Sequence, residues 1–259
     1  MLKLRYLQFS FGIILVLLAV CVIFMDLSPL WFIGTLLVLI ILLAAGSANI
    51  KSGMYCKVLY KGDRNKKTVA LTFDDGPDAT LTPAILDILN KESVSAAFFC
   101  IGKKASENPG LLARMDNEGH LIGGHSYSHH FLFDLLSSRK MADEMQKSEE
   151  IIFKEIKKRI KCFRPPYGVT NPPLARALAE KKYHAIGWSL RTMDTVIRDE
   201  NRLLDKVKKK LKSGDIILFH DTNERTANIL GEFIKFAKNN GFSLERLDHH
   251  LGIEAYENE

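Results

Sequence analysis

Charge is nearly missing from the first fifty residues, where only Lys3, Arg5 and Asp26 are ionised. Cysteine is sparse too. Cys21, Cys56, Cys100 and Cys162 form no CxxC pair, and their spacings suggest no disulfide framework, which excludes a disulfide-stapled scaffold. Cys100 and Cys162 border strand-like apolar runs and read as small buried hydrophobes. No glycine-rich loop follows the first strand-like run of the polar part, which weakens any nucleotide-binding reading. The chain has no internal repeat, no low-complexity segment and no nucleic-acid-binding module.

What is present divides the 259 residues into two parts. Leu7 to Met25 is an apolar run of about the 20 residues that cross a bilayer as a helix. Asp26-Leu27-Ser28-Pro29 then interrupts with a charge and a helix breaker. Leu30 to Ala45 is a second run, slightly short for a span, with Trp31 at its start, where an indole favours the membrane interface. A signal-peptide core is about 7 to 15 residues long and is not followed by a second such run. Residues 1–50 are therefore expected to be a membrane anchor of two helices, about 7–25 and 30–45, with a polar connector over 51–66 and a globular domain over 67–256. Lys3 and Arg5 before the hairpin, and Lys51, Lys57 and Lys61 after it, lean both ends toward the cytoplasm.

The net charge of +6 lies almost wholly in the polar part. Its cations gather in 154–161 and 206–212, each within a helical pattern. Solvated helix faces are the expected reading, with attraction to anionic lipid or glycan as the alternative.

From residue 68 onward, short apolar runs alternate with amphipathic stretches. Strands are expected at 68–73, 95–101, 120–123, 162–164, 184–189, 215–220 and 242–247. Helices are expected at 83–91, 109–118, 138–160, 174–182, 201–212 and 227–239. That alternation means a parallel α/β architecture, either an open doubly wound sheet or a closed barrel.

In such folds chemistry gathers where strands end, and here those ends are unusually polar. The first run leads into Asp74-Asp75-Gly76-Pro77, two carboxylates that need positive partners if buried. His125-Ser126-Tyr127-Ser128-His129 places two histidines four apart, so that one helical turn aims both at one cation. With an aspartate from another strand end they make a His/His/Asp set suited to zinc or a similar divalent metal. His130 would point away. Arg164-Pro165-Pro166-Tyr167-Gly168 holds a guanidinium and the Tyr167 amide rigidly after a strand. Leu218-Phe219-His220-Asp221 delivers a histidine from an apolar strand.

Together these motifs resemble the polysaccharide deacetylases of the NodB-homology family, carbohydrate esterase family 4. Thr72–Pro77 matches the first motif, His125–His129 the second, Arg164–Tyr167 the third and Leu218–His220 the fifth, in family order. The resemblance implies a distorted (β/α) barrel and removal of N-acyl groups from amino sugars of a polysaccharide or lipid-linked glycan. It implies Asp75, His125 and His129 as ligands of a divalent metal, most often zinc, and Asp74 as the base that activates water there. Arg164 would orient Asp74, the Tyr167 amide would help hold the oxyanion, and His220 would protonate the leaving amine. Trp188, Leu218 and Pro166 would line the acyl pocket.

The fourth motif departs from the pattern. In Trp188–Thr195, Arg191 stands where the family often has an aspartate and Thr195 where it has a tryptophan, while Asp194 remains. The usual support for His220 is thus replaced, with Asp194 or Asp221 as candidates. The alternative to an enzyme is a membrane-tethered glycan-binding or scaffold protein with a relic metal site. The expected partners are a glycan or glycolipid and a membrane, without nucleic acid; oligomeric state is not readable.

Overall fold

The computed structural model describes residues 4–257; Lys3, used in the charge argument, lies outside them. Two helices come first, α1 (Leu4–Phe24) and α2 (Leu30–Ala48). The break between them is as the sequence implied, with Asp26 at a positive φ of 51° and Pro29 at the N-cap of α2. Both helices are long and apolar enough to cross a membrane by length and composition, and their side chains are largely exposed.

The remaining elements follow in order: β1 (Val58–Leu59), β2 (Thr68–Asp74), α3 (Leu81–Lys91), β3 (Ala97–Cys100), α4 (Gly102–Glu107), α5 (Pro109–Asn117), β4 (Leu121–Gly124) and α6 (Ser138–Ile156). Then come β5 (Cys162–Phe163), α7 (Pro172–Lys181), β6 (His184–Ile186), β7 (Leu190–Arg191), α8 (Glu200–Lys210), β8 (Ile216–His220), α9 (Glu224–Asn239), β9 (Ser243–Leu244) and α10 (Leu247–Leu251).

The strands pair in parallel in the order β1-β6-β5-β4-β3-β2-β8-β7, with β9 also on β2. β6 and β7 are consecutive in sequence, yet β7 ends that ladder on one side while β6 stands next to β1, the end strand on the other. Only Gly187, Trp188 and Ser189 join them, a reach of roughly 10–14 Å. The sheet must therefore curl until its ends nearly meet, which makes a distorted barrel rather than an open sheet. An antiparallel bridge from Lys61 to Asp215 spans the gap beside that crossing, where the Ser189 hydroxyl also donates to Asp215 at 2.7 Å.

Several boundaries differ from the sequence expectation. The stretch expected as a connector contributes β1, which pairs with β6, and Ile50 is already buried. The strand expected over 184–189 is split, because residues 187–189 cross between the ladder's ends. α6 stops at Ile156 rather than Ile160, since Lys157 takes a left-handed conformation (φ 58°) as its C-cap; Ile160 is then buried in the core. In the cationic clusters Lys158, Arg159, Lys161 and Lys208 pair with carboxylates, as in Lys158–Asp116 at 2.6 Å and Lys208–Glu232 at 2.7 Å.

β2, β3 and β4 are buried along their whole length, as expected for parallel strands covered on both faces. The period-2 alternation sorts their side chains. Val69, Leu71 and Phe73 face the helical layer with Ile85, Leu89, Ile217, Phe219, Leu230 and Phe233. Ala70, Phe99, Leu121, Cys162, Ile186 and Ile216 fill the barrel interior. Four of these inner series, continued by twos to or just past the strand's C-terminal end, reach a charged or imidazole side chain.

Candidate active site

Counting by twos along the inner face leads from Ala70 through Thr72 to Asp74, from Leu121 to His125, from Cys162 to Arg164, and from Ile216 through Leu218 to His220. Register brings these together: Asp74 lies beside Phe99 on one side and His220 on the other. Thus four strands deliver a carboxylate, an imidazole, a guanidinium and a second imidazole to one mouth.

Asp74 and Arg164 form a buried ion pair, Nη1 to Oδ1 at 2.6 Å, with the Arg164 side chain 0% exposed. Four of the five guanidinium N–H groups have acceptors. Nη1 also donates to the Thr72 hydroxyl at 2.8 Å, Nη2 to the Gly187 carbonyl at 3.0 Å and Nε to the Ile186 carbonyl at 3.4 Å. Its plane lies over Phe99, 4.0 Å from the ring centre. Burial pulls the Arg164 pKa down, opposed by Asp74. All three guanidinium nitrogens are engaged, so the Asp74 carboxylate is held in one orientation.

Asp75 leaves the strand at φ 73°, a left-handed conformation uncommon for a non-glycine residue. That turn sends its carboxylate to the histidines rather than along the inner face. Its Oδ1 is 3.5 Å from His125 Nε2 and 3.4 Å from His129 Nε2. Burial alone would raise the Asp75 pKa, but the His125 hydrogen bond and the charges of His125, His129 and His220 hold it well below the usual carboxylate range. His129 is shifted down, first by burial and then by His125.

His125 Nδ1 is 2.7 Å from the Arg164 carbonyl oxygen. A carbonyl only accepts, so Nδ1 carries a proton and Nε2 is the nitrogen left to face Asp75: protonated it donates to that carboxylate, and without its proton it offers a metal the lone pair a ligand needs. Glu144 braces the second-motif loop, accepting from the amides of Tyr127 and Ser128 and the Ser128 hydroxyl. One ligand atom from each of Asp75, His125 and His129 lies within 4.8 Å of the others. Ligands about 2.1 Å from a tetrahedral ion stand about 3.4 Å apart, close to the Asp75–His spacings. A two-nitrogen, one-oxygen set of this size fits a divalent metal.

His220 stands across the mouth, Nε2 4.0 Å from Asp75 Oδ2. Its Nδ1 donates to Asp194 Oδ1 at 2.8 Å, and its amide donates to Asp194 Oδ2 at 2.8 Å. The Thr226 hydroxyl also donates to Oδ2, at 2.7 Å. Burial would lower the His220 pKa, but Asp194, with Asp74 and Asp75 behind it, lifts it to about 9. Of the two candidate supports, then, Asp194 is the partner. Asp221 turns to Thr82, whose hydroxyl donates to it at 2.6 Å, and burial raises Asp221 to about 7. Arg191 and Thr195 are both exposed.

Tyr167 sits at φ 57° between Pro166 and Gly168. Its ring lies beside His129, with centroids 4.8 Å apart, and half of the residue is exposed. Pro166 and Leu218 are buried near the mouth. Trp188 packs so closely on Gly168 that a side chain there would meet its ring at 2.4 Å. Gly76 is required for a similar reason, because a Cβ would fall 1.9 Å from Asp221 Oδ2. Thr72, Thr226 and Glu144 were not singled out from the sequence. Thr72 lies within the first motif and could have been, but Glu144 and Thr226 sit on helices remote in sequence, with no local signal.

Residues 61–186 match the family model described as polysaccharide deacetylase. Over 189 residues the chain is 33% identical to the peptidoglycan-N-acetylglucosamine deacetylase PgdA of Listeria monocytogenes, covering 73% of this chain and 40% of that one. It is also 33% identical to a peptidoglycan-N-acetylglucosamine deacetylase of Bacillus cereus, covering 71% and 88%. The chain thus spans less than half the length of the Listeria protein and most of the Bacillus protein. The crystal structure of the Bc1960 peptidoglycan N-acetylglucosamine deacetylase superposes with a TM-score of 0.73 at 32% identity, over 76% of this chain and 94% of that one. From its motifs, its barrel and these matches, the chain belongs to the polysaccharide deacetylase family, the NodB-homology group of carbohydrate esterase family 4.

Proposed function

We propose that the chain is a metal-dependent deacetylase that hydrolyses the N-acyl group of an amino sugar in a glycan, and that α1 and α2 anchor it in a membrane as a hairpin. One observation carries the chemistry: the Asp74–Arg164 pair, the Asp75/His125/His129 set and the His220–Asp194 pair converge on a single mouth from separate strand ends.

Asp74, oriented by Arg164, takes a proton from the attacking water. The new C–O bond forms at the amide carbonyl, with the Tyr167 amide as a donor to the developing oxyanion. As the C–N bond breaks, His220 gives its Nε2 proton to the amine, and Asp194 keeps the ring in the protonated, correctly turned form. A dication such as Zn2+ held by Asp75, His125 and His129 supplies a Lewis acid and lowers the pKa of water toward 7. Trp188, Leu218 and Pro166 bound a pocket for a short acyl group. The names of the relatives favour N-acetylglucosamine as the amino sugar that carries the acyl group.

The decisive experiment is Asp74→Asn. Metal content should be retained, and acetate release from an N-acetylated oligosaccharide should fall by a factor on the order of 10²–10⁴. A wild type as inactive as the variant on a broad substrate panel would instead favour a glycan-binding scaffold.

A further inference from the structure

Outside the hairpin, the exposed large apolar side chains among the described residues are Phe131, Leu132, Leu135, Tyr167 and Val196. All five follow or flank site residues, and three belong to the loop just after His129. We infer that Phe131, Leu132 and Leu135 form a lipid-docking surface, seated at the headgroup–acyl boundary of the membrane that α1 and α2 enter, so that the site opens on glycan held at the membrane surface. This rests on reading α1 and α2 as spans, and it deepens the proposed activity by naming lipid-linked amino sugars as the substrate class.

α2 has 19 residues, about 28 Å of helix against a hydrocarbon core of about 30 Å. Its exit is not a loose tether. Ser47 Oγ donates to the Thr170 carbonyl at 2.6 Å, and the Thr170 amide donates back to the Ser47 carbonyl at 3.0 Å. Lys51 Nζ reaches the Ser189 carbonyl at 2.8 Å. Ile50, two residues past the helix, is buried in one apolar cluster with Phe133. The span is therefore docked onto the loops that carry Tyr167 and Trp188, and the orientation of the mouth follows that of α2.

The apolar loop is tied to the same point. Asn171, next to Thr170, donates through Nδ2 to the Asp134 carbonyl at 2.7 Å. Phe133 turns inward at 1% exposure while Phe131 and Leu135 stand out at 71% and 79%. Through Asn171 and Thr170 this outward apolar loop is tied to the end of α2, and a bilayer is the matching occupant for apolar side chains held beside a helix that leaves it. Arg139 and Lys140 follow and are exposed, which suits anionic headgroups. Phe131 is only two residues from the ligand His129, within about 7 Å of backbone. The reacting amide would thus be met close to the membrane surface.

The test uses the full chain in nanodiscs containing a phospholipid with a photoactivatable group near the ester end of its acyl chain, with labelled peptides identified by mass spectrometry. Label is expected on α1, on α2 and on the 130–136 peptide. In the double variant Phe131→Ser, Leu135→Ser, rim label should fall at least fivefold while hairpin label and turnover of a soluble N-acetylated oligosaccharide are unchanged. Turnover of a lipid-linked N-acetylated saccharide in the same disc should fall about tenfold. Label on the hairpin but not the rim overturns the docking surface alone. Label on neither overturns the membrane reading as well. Equal loss on both substrates overturns the substrate assignment.

Discussion

Replacing Asp194 by asparagine removes one charge and nearly no volume from the least exposed part of the site. Asp194 Oδ2 faces two donors, the His220 amide and the Thr226 hydroxyl, and Oδ1 faces His220 Nδ1–H. An amide has one acceptor oxygen, which settles opposite the two donors. Its NH2 then points at Nδ1, where a proton would clash. His220 is left neutral with its proton on Nε2, and burial now acts unopposed by Asp194. The imidazole pKa should fall from about 9 to near or below the ordinary 6.5. That difference corresponds to about 3 kcal/mol of preference for imidazolium. A raised folded pKa gives stability that is fully present below pH 6.5 and is lost as pH rises through about 9. The stability gap between wild type and variant should narrow over that window. Imidazole NMR titration of the metal-free protein reads the pKa directly. At pH 7, acyl release should drop on the order of 10²–10⁴-fold with KM little changed. A His220 midpoint still near 9 in the variant would refute the electrostatic argument, and undiminished turnover would refute the proton's role.

Arg164→Met leaves Asp74 buried beside no cation and should destabilise the protein by about 3–5 kcal/mol in denaturant unfolding; adding Asp74→Asn should recover a large part of that loss. Asp221 is buried, its Oδ1 has no partner among the described residues, and its pKa is raised from 3.8 to about 7. A raised carboxyl costs stability as pH rises from about 4 toward 7. Asp221→Asn should therefore stabilise by up to about 4 kcal/mol above pH 7 and by little at pH 4, measured as unfolding free energy against pH. Chelation should abolish acyl release and Zn2+ should restore it. Metal at 100 times its Kd should add about 2.7 kcal/mol to stability, and an unmoved Tm would count against the Asp75/His125/His129 set.

Much of the site was legible in the linear sequence because parallel strands place their chemistry at their C-terminal ends. Asp74, His125, Arg164 and His220 each close an apolar run, and alternation by two explains why all four face inward. The two apolar helices were legible for an equally local reason, since length and hydropathy suffice. The supports were not legible. Asp194 serves His220 because the crossing at residues 187–189 returns the chain to β8, and Thr226 completes the carboxylate's partners from α9. Glu144 braces the histidine loop from α6. Nor could the sequence show that β1 belongs to the sheet, because two residues carry no periodicity.

By itself the sequence determined which residue types meet at the mouth, since motif order and strand period are properties of the chain alone. Only the tertiary structure decided which carboxylate holds His220, and that the end of α2 is docked through Ser47 and Ile50 beside that mouth. Those outcomes depend on which strands become neighbours when the sheet curls, and no local pattern encodes that.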